Sequence, residues 1–241
     1  MISPMHAATI TLVGETVQLL PERAAFWGAR QTLIVADLHL GKCETLRSAG
    51  MPIPSGVIER DLSRLASAIT QTGATRIVVV GDLIHHGSGL TPELVEGVAD
   101  FRRRELARVE IALVRGNHDR HAEHIARQWG ITLLADFHLA GPFGFAHDPA
   151  DGLVPDAACT WFGHVHPLIR VGARGDGVSI PCFVVHDDHI LLPAFSQFTR
   201  GGAISPIPGA RVYGIAEDRV VAVPGVSGRA RKPSCLDARP G

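Results

Sequence analysis

The sequence contains little cysteine, no excess of charge of either sign and no long apolar run. Its four cysteines, among 241 residues, show no C-x-x-C spacing, which disfavours a zinc ribbon or a thioredoxin-type site and predicts free thiols. Because 23 basic residues face 24 acidic ones, the formal net charge is −1. Bulk electrostatics therefore gives no argument for a nucleic-acid or membrane partner, although a local basic patch is compatible with it.

Segments that could span a membrane or direct secretion are also missing. No stretch reaches the roughly 18 consecutive apolar residues of a transmembrane helix. The first six residues, Met-Ile-Ser-Pro-Met-His, lack the basic and apolar regions of a secretory signal. We therefore expect a cytoplasmic protein that does not associate with membranes.

The composition is that of an ordinary globular protein. Hydrophobic residues make up 46% and charged residues 20% of the chain, which excludes disorder, collagen and a coiled coil as descriptions of the whole. The length allows one large domain, and no linker-like stretch divides it. We predict a single domain over residues 1–224, followed by a flexible Gly-, Pro- and Arg-rich tail over residues 225–241.

Histidine is the abundant residue type, with 13 copies beside a single tyrosine. It is the commonest protein ligand of metal ions, and its side chain titrates near neutral pH. The excess therefore raises the question of whether the histidines cluster in one site.

The first half of the chain predicts strands that alternate with helices. Residues 8–13 and 16–20 form a predicted hairpin, and three apolar runs that end in polar residues form predicted parallel strands. Helices are expected to begin at Ser55 and at Thr91-Pro92, where capping residues precede an apolar period of 3.6 residues. The three runs are Gln31–Asp37, Ile77–Asp82 and Ile111–Asn117, and a third helix is expected over Arg120–Trp129.

From Ile131 onward the helical period disappears, and short strands separated by Gly, Pro and Asp turns are predicted instead. Alternating strands and helices, followed by a strand-rich half, favour an α/β protein with two sheets in one domain. The predicted strands are Ile131–Ala135, Phe143–His147, Thr160–Gly163, Val178–His186, Ile190–Phe195, Val212–Ile215 and Val220–Val223.

Polar residues follow the three predicted parallel strands at their carboxyl ends, where α/β sheets bind their ligands. Asp37 and His39 follow the first strand and are two positions apart, so in extended backbone both point to one side. Asp82 follows the second strand, and Asn117 and His118 follow the third.

The strand-rich half adds three more histidines of the same kind. His147 follows a predicted strand, and His164 and His166 form a His-x-His pair that is expected on one face of a strand. Together with the strand-end residues they give three oxygen ligands and four imidazoles. The seven candidate metal ligands are Asp37, His39, Asp82, Asn117, His147, His164 and His166.

Seven ligands are too many for one tetrahedral zinc ion, and they fit two divalent ions about 3.5–4 Å apart with a bridging carboxylate. Mixed nitrogen and oxygen ligands without thiolate favour Mn²⁺, Fe or Zn²⁺, and we take Mn²⁺ as the first expectation. Such a pair converts a bridging water to hydroxide near neutral pH and neutralises charge on a phosphoryl group under attack.

Each motif alone also has a purely structural interpretation. An aspartate at a strand end often only caps or turns the chain, and a His-x-His pair is as often a solvated face as a pair of ligands. Five such pieces in one chain, most of them at predicted strand ends, favour the metal site.

The complete set of motifs resembles that of the calcineurin-like metallophosphoesterases, over about residues 31–200. This resemblance implies a four-layer α-β-β-α sandwich, with two metal ions between the tops of two mixed sheets. The motifs that carry it are Asp37-x-His39, Gly81-Asp82, Gly116-Asn117-His118-Asp119, His147 and Gly163-His164-x-His166.

The resemblance also implies a role for each residue. His118 is not a ligand in the family pattern; it stabilises charge on the phosphate and protonates the leaving oxygen. The first metal is held by Asp37, His39 and His166, the second by Asn117, His147 and His164, and Asp82 bridges the two.

Two finer resemblances concern the substrate. Asp37–Lys42 and Gly81–His85 are similar to segments of double-strand-break repair nucleases, in which a histidine at the position of His85 assists catalysis. Other segments are similar to the ligase-associated DNA-damage-response phosphoesterases, which implies a DNA endonuclease that acts in repair, with a DNA ligase and a helicase as partners. These segments are Arg47–Pro54, Gly81–His86, His147–Pro149, Gly163–Pro167 and Pro193–Thr199, and the chain departs from the family pattern at Arg200.

Other functions stay open. A phosphodiesterase or pyrophosphatase for small molecules, such as a cyclic nucleotide or a nucleotide sugar, suits the near-neutral charge better than DNA does. A non-catalytic scaffold of the same fold is disfavoured, because no candidate ligand or catalytic histidine is missing. Arg102, Arg103 and Arg104 could form a DNA-contacting stripe, but three consecutive helical residues fan over about 200°, which favours a solvated surface. The oligomeric state is open, a homodimer included.

Overall fold

The structure is a computed structural model that describes residues 6–172, 176–199, 201–204 and 209–224, except for the side chain of His121. The predicted tail over residues 225–241 lies outside the described residues, as do Arg200 and Cys235. The helices are α1 (Lys42–Ser48), α2 (Val57–Thr72), α3 (Pro92–Glu105) and α4 (Ala122–Gln128). The strands are β1 (Ala8–Leu12), β2 (Glu15–Leu20), β3 (Ala24–Trp27), β4 (Thr32–Val35), β5 (Arg76–Val80), β6 (Glu110–Val114), β7 (Thr132–Leu133), β8 (Phe137–Ala140), β9 (Phe143–Ala146), β10 (Cys159–Phe162), β11 (Pro167–Val171), β12 (Val178–Val185), β13 (His189–Leu191), β14 (Gly202–Ala203), β15 (Arg211–Ala216) and β16 (Arg219–Ala222).

The first sheet contains seven strands in the order β1-β2-β3-β4-β5-β6-β7. Its first four strands are antiparallel, and β1 and β2 form the predicted hairpin, with Ala8 opposite Leu19. From β4 to β7 every pair is parallel, so β4, β5 and β6 run side by side in one direction. The residues that follow these three strands consequently meet at one edge of the sheet.

Helices α2, α3 and α4 cover the outer face of this sheet. The apolar period of α2 buries Leu65 and Ile69 against Leu33 and Ile77 of the sheet, as the sequence pattern predicts. Packing against the sheet also shields the apolar face of α2 from water, and this burial contributes most of the stability of an amphipathic helix.

The two predicted helix starts have different outcomes. At α3, the hydroxyl of Thr91 accepts a hydrogen bond from the N–H of Leu94 at 3.3 Å, which confirms the predicted cap. At α2, the prediction of Ser55 as the cap is wrong. Gly56 precedes the helix with φ 76° and makes no side-chain cap, because only glycine adopts this left-handed turn at no steric cost.

The second sheet contains nine strands, with β10 between β9 and β13 and parallel to both. Most of its other pairs are antiparallel, so both sheets are mixed and the predicted α/β sandwich of two mixed sheets is confirmed. On its outer face, Val154 of loop 148–158 packs against Ala146 and Phe162.

The two sheets pack face to face over a core rich in aromatic rings. Alternation along β4 turns Leu33 towards the helices and Ile34 towards the second sheet. The ring of Phe143 lies between two tryptophans, with its centroid 4.8 Å from Trp27 and 5.6 Å from Trp161, edge to face in both cases. This arrangement is the favourable one for aromatic pairs, and it fixes the spacing of the sheets below the candidate site.

Several short elements have no counterpart among the predicted ones, namely β3, β8, β11, β14 and α1. Each has seven residues or fewer, which is too short for a clear period in the sequence. The predicted strand Ile131–Ala135 is reduced to Thr132–Leu133 at the edge of the first sheet.

Two expectations about the whole chain concern thiols and membranes. Cys43, Cys159 and Cys182 are buried and free, as predicted. Within the described ranges, every helix is too short or too polar to cross a lipid bilayer. The single domain over residues 1–224 stays a prediction.

The two tryptophans of the inter-sheet core should respond differently to replacement by phenylalanine. The Nε1–H of Trp27 donates to Oε2 of Glu15 at 2.7 Å, whereas the buried Nε1 of Trp161 has no partner among the described residues. Trp27→Phe removes a bond to a charged group, and Trp161→Phe removes an unpaired buried donor. We expect Trp27→Phe to lower the free energy of unfolding by about 2 kcal/mol more than Trp161→Phe. Urea unfolding of both variants measures this difference, and equal losses would contradict it.

Candidate metal centre

The strand-end residues take a backbone conformation that sequence alone does not predict. Asp37, His39 and Asp82 have φ values of 59°, 47° and 51°, in the left-handed region that non-glycine residues rarely occupy. The expectation that Asp37 and His39 point to one side from an extended backbone is therefore wrong. Their side chains nevertheless converge, because the left-handed turns redirect the chain directly after the strand.

The His-x-His pair is likewise not on a strand. His164 and His166 lie in the loop between β10 and β11, with φ values of 62° and 47°. Strained backbone of this kind persists where the surrounding structure holds it, and it clusters at functional sites. Five of the seven candidate ligands are in this conformation.

Three glycines make room for the candidate ligands. A Cβ on Gly81 would lie 2.0 Å from Nδ1 of His147, and a Cβ on Gly116 would lie 2.3 Å from Oδ1 of Asp82. A Cβ on Gly163 would lie 3.0 Å from Oδ2 of Asp37. Gly81 and Gly116 are thus required because a ligand side chain occupies the space beside their Cα, and Gly163 is required chiefly because the backbone carbonyl of Val80 would lie 2.7 Å from its Cβ.

Backbone amides hold the two carboxylates in place. Both carboxylate oxygens of Asp37 accept from the N–H of His164, at 3.2 and 3.1 Å. Oδ1 of Asp82 accepts from the N–H of His118 at 3.0 Å. The first of these contacts joins the first sheet to the second, so the two halves of the sandwich meet at the site.

The first group of donor atoms comes from Asp37, His39 and His166. Their ligand atoms lie within 4.8 Å of one another, with Nε2 of His166 3.2 Å from Oδ1 of Asp37 and 3.4 Å from Nε2 of His39. Asp82 lies next to this group, since its Oδ2 is 3.7 Å from Nε2 of His39. These are the residues that the family resemblance assigns to the first metal.

The second group comes from Asp82, His147 and His164. Nε2 of His147 lies 3.4 Å from Oδ1 of Asp82, 3.3 Å from Nδ1 of His164 and 3.1 Å from Oδ1 of Asn117. Because the carbonyl of Val80 can only accept, Nδ1–H of His147 donates to it, at 3.1 Å. In the neutral ring the lone pair of Nε2 therefore faces the other three donor atoms.

This arrangement fits divalent cations. Lone pairs of nitrogen and oxygen that face each other at 3.1–3.4 Å repel unless a proton or a cation lies between them. Oxygen and imidazole ligands without thiolate are the set that Mn²⁺, Fe and Zn²⁺ accept. Asp82 contacts both groups through different oxygens, as a bridging carboxylate would.

The electrostatics of the residues show the same preference for positive charge. Burial acts to lower the pKa of His147, but its hydrogen bond and ion pair with Asp82 outweigh burial and raise the pKa to about 9. Burial acts to raise the pKa of Asp82, but His147 outweighs it and lowers the pKa to about 2. A bound cation would replace the proton of His147, since an imidazole must be neutral to be a ligand. Burial lowers the pKa of His39 to about 3, which keeps this ring neutral.

His85 and His118, the two predicted catalytic histidines, stack beside the first donor group. Their ring centroids are 5.1 Å apart with an interplanar angle of 21°. Nδ1–H of His118 donates to the carbonyl of His85 at 2.6 Å, so its Nε2 is the atom turned to the site, 3.9 Å from Oδ2 of Asp82. Burial, followed by the charge of Lys42, lowers the pKa of His85 to about 4.

Asp119 is a residue whose role the sequence pattern does not predict, although it belongs to the Gly-Asn-His-Asp motif. Its carboxylate accepts from the N–H of Gly116 at 2.9 Å and from that of Ile84 at 3.1 Å. It thereby ties the loop after β6 to the loop after β5. Burial raises its pKa to about 6.

A buried ionic cluster supports the site from behind. Asp61 pairs with Arg64 at 3.0 Å, and Arg64 also donates to the carbonyl of Phe195 while its guanidinium lies 4.5 Å from the centroid of that ring. The N–H of Ser196 donates to the carbonyl of Asp37 at 3.2 Å. The cluster thus fixes the segment 193–199 against the backbone of a candidate ligand. In the sequence, the one indication of this cluster is that Asp61 falls on the buried face of the amphipathic helix α2.

A cleft beside the second donor group gives a substrate access. It has a volume of about 710 Å³ and is lined by Asn117, His147 and Arg120, among others. Phe137 and Leu153 line it as well, and their side chains are 55% and 50% exposed. Arginine and exposed apolar side chains next to the donor atoms suit a ligand that carries both a phosphate and an apolar ring.

Comparison with known proteins agrees with this geometry. A family model described as calcineurin-like phosphoesterase matches residues 31–189. The fold is similar to the crystal structure of the nuclease MPE of Pseudomonas putida, with a TM-score of 0.76 and 29% identity over 90% of this chain and 100% of that chain. It is also similar to YfcE, a phosphoesterase from E. coli, with a TM-score of 0.42 and 15% identity over 80% of this chain and 97% of that chain. No significant match is found among curated protein sequences.

The requirement for glycine at position 81 leads to a test of the site. Gly81→Ala places a Cβ inside the ring of His147, whereas the Cβ of Gly73→Ala meets nothing within 4 Å although φ is positive at both positions. The conformational strain alone costs about 1–2 kcal/mol in each variant. We expect Gly73→Ala to lose this much stability, Gly81→Ala to lose more because its Cβ displaces the buried ring of His147, and only Gly81→Ala to lose bound metal.

Metal content by mass spectrometry and the free energy of unfolding are measured for both variants and the native chain. Full metal occupancy in a folded Gly81→Ala protein would contradict the placement of His147.

Proposed function

The chain belongs to the calcineurin-like phosphoesterases, a family of metal-dependent hydrolases, and from this premise we propose that it is a dimetal phosphodiesterase that cleaves DNA. The observation that carries the proposal is the meeting of two donor groups at Asp82. A single metal site would leave one of the groups without a role.

The contacts support a ligand assignment. Asp82 would bridge the two ions, because each of its oxygens faces a different group. The amide oxygen of Asn117 would complete the second set, since it lies 3.1 Å from Nε2 of His147. The first ion would be held by Asp37, His39 and His166, and the second by Asn117, His147 and His164.

The reaction is an in-line displacement at phosphorus. When bound, two divalent ions would supply Lewis acidity for the phosphoryl oxygens and would lower the pKa of the attacking water. We assign Mn²⁺ as the preferred ion, with Fe and Zn²⁺ as the other ions that the mixed ligand set accepts.

His118 acts on the leaving group in this mechanism. The hydrogen bond of its Nδ1 to the carbonyl of His85 fixes the ring, so that Nε2 points into the site. In the imidazolium form both ring nitrogens carry a proton, so that Nε2–H stabilises charge on the phosphate and gives its proton to the leaving oxygen, which leaves His118 neutral with its proton on Nδ1. His85 supports His118 by stacking on its ring. Because the pKa of His85 is lowered to about 4, its ring is neutral near pH 7 and can form a hydrogen bond with the substrate without repelling bound metal ions.

DNA is the proposed substrate because a nuclease is similar to this chain over 90% of its length. Arg115 and Arg120 line the cleft beside Asn117 and can contact phosphates that flank the cleaved bond. Three aspartates line the same cleft, so its charge does not add to the case for DNA. A role in DNA repair beside a ligase and a helicase stays a prediction from the sequence. A small-molecule phosphodiester is the second candidate, favoured by the net charge of −1.

Hydrolysis of bis(p-nitrophenyl) phosphate with added Mn²⁺ tests the phosphodiesterase function. We expect Asp82→Ala to lower kcat/KM at least about 1000-fold, because both ions lose a ligand, and His118→Ala to lower it about 100- to 10,000-fold. His124→Ala is the matched control, because His124 is exposed on α4 and outside the donor groups. Absence of activity with every divalent ion, or activity that survives Asp82→Ala, would refute the function.

The substrate class needs a separate comparison. Single-stranded DNA and cyclic nucleotides are compared at 50 and 200 mM salt, with kcat/KM as the readout. We expect cleavage of DNA to fall steeply with salt, because contacts to several phosphates release counterions. Faster cleavage of cyclic nucleotides at both salt concentrations would instead establish the small-molecule candidate.

A further inference from the structure

A cavity of about 510 Å³ opens at the end of the molecule opposite the candidate metal centre. Its lining includes Thr32, Arg76 and Glu110, which are the first residues of β4, β5 and β6. The candidate ligands follow the last residues of the same strands. Since a five-residue strand spans about 16 Å, a small molecule in this cavity does not reach the metal centre.

The charge of this cavity is unlike that of the chain as a whole. Four arginines and a single glutamate are the charged residues of its lining, whereas basic and acidic residues are nearly balanced over the sequence. We call it the arginine cavity. Its charged residues are Arg30, Arg76, Arg102, Arg108 and Glu110.

The arginines are only partly neutralised by the protein. Arg76 binds Oε2 of Glu110 through two nitrogens, at 3.0 and 2.7 Å. Arg102 donates from Nη2 to the carbonyl of Val109 at 2.7 Å, and its Nε is buried without a partner among the described residues. Arg30 and Arg108 form no ion pair with any residue of the described ranges. At least three guanidinium groups thus keep donors for an anion.

The three consecutive arginines at positions 102–104 lie in different surroundings. Arg102 turns inward and lines the arginine cavity, Arg103 pairs with Asp100 on the surface of α3, and Arg104 lines a different cavity. The three side chains point in different directions around α3, as predicted. The sequence pattern favours a solvated surface for all three, but Arg102 is half-buried. The three side chains therefore do not share one face, and Arg102 contributes to a concave site.

Other cavities of the described residues do not have this charge. The cavity between α2 and α3 is lined by four glutamates and one arginine. The cleft beside the second donor group is lined by three aspartates and two arginines. The accessible apolar residues of the arginine cavity between its charges include Ala107, Leu134 and Ala140, so the cavity offers both an anion site and an apolar surface.

We propose that the arginine cavity binds a phosphomonoester of mononucleotide size, as a site separate from the metal centre. The planar fork of guanidinium donors matches the oxygens of a phosphate. The volume lies within the roughly 300–1,000 Å³ of small-molecule sites, and the apolar wall suits a base or a similar ring. The site does not depend on the proposed DNA cleavage, and a nucleotide bound there is not positioned for hydrolysis.

Calorimetric titration with 2′-deoxyadenosine 5′-monophosphate tests the proposal. The full chain carrying Asp82→Asn is used, so that binding at the metal centre is weakened while the arginine cavity is unchanged. We expect saturable binding at one site, and we expect Arg108→Glu in this background to raise Kd at least about tenfold, as the loss of a charge-assisted contact does. Arg103→Glu, the same charge change on α3 outside the cavity, should alter Kd less than about twofold.

Three results would overturn the site. They are the absence of saturable binding in the Asp82→Asn protein, an equal effect of Arg108→Glu and Arg103→Glu, and a stronger Arg108-dependent binding of a single-stranded DNA 12-mer than of the nucleotide. Inorganic phosphate that binds as tightly as the nucleotide would overturn the role of the apolar wall.

The test stays distinct from that of the proposed function. Hydrolysis of bis(p-nitrophenyl) phosphate by the Arg108→Glu single variant reports on the metal centre alone. We expect this rate to equal that of the native chain, because Arg108 lies at the opposite end of the strands. A protein without any hydrolysis that still binds the nucleotide through Arg108 would refute the phosphodiesterase and leave the arginine cavity intact.

Discussion

The bond between the carboxylate of Asp37 and the backbone N–H of His164 is the contact on which the arrangement depends. It joins the end of a strand in the first sheet to a loop of the second, so the sheets bring their donor atoms together only in this register. The same carboxylate faces the ring of His166 at 3.2 Å. Asp37 therefore has a structural and a ligand function at once, and a shift of either sheet would disturb both.

Because residues such as Asp37 must both hold the backbone and present a ligand atom, the backbone at the site is strained. Asp37, His39, Asp82, His164 and His166 are all left-handed, which costs about 1–3 kcal/mol per residue. Surrounding contacts offset that cost: amides donate to both carboxylates, and the buried cluster of Asp61 and Arg64 fixes the segment behind Asp37. Without a cation, the hydrogen bond and ion pair with Asp82 raise the pKa of His147, so the site favours a positive charge at this position.

The sequence predicts the longer strands and the seven candidate ligands, because residue type and position after an apolar run are local properties. The catalytic roles of His85 and His118 are predicted only through the family resemblance. The sequence does not predict the left-handed turns at Asp37 and His164, since these are imposed by bonds to residues distant in the chain. For the same reason Asp61 has no signal beyond its burial on a helix face. From local sequence alone, an extended backbone is expected at Asp37 and His39. The tertiary contacts hold these residues in the left-handed conformation instead.

Net charge is a poor guide to this molecule because charge is segregated along its strands. Aspartates and histidines collect at the carboxyl ends of β4, β5 and β6, and arginines collect at the amino ends. The net charge of −1 is the balance of 23 basic and 24 acidic residues over the whole chain and does not reveal this segregation. Cations at the metal centre would make that end positive as well. The argument that a neutral chain disfavours a phosphate-bearing substrate therefore weakens, since anions meet local potentials and not the average.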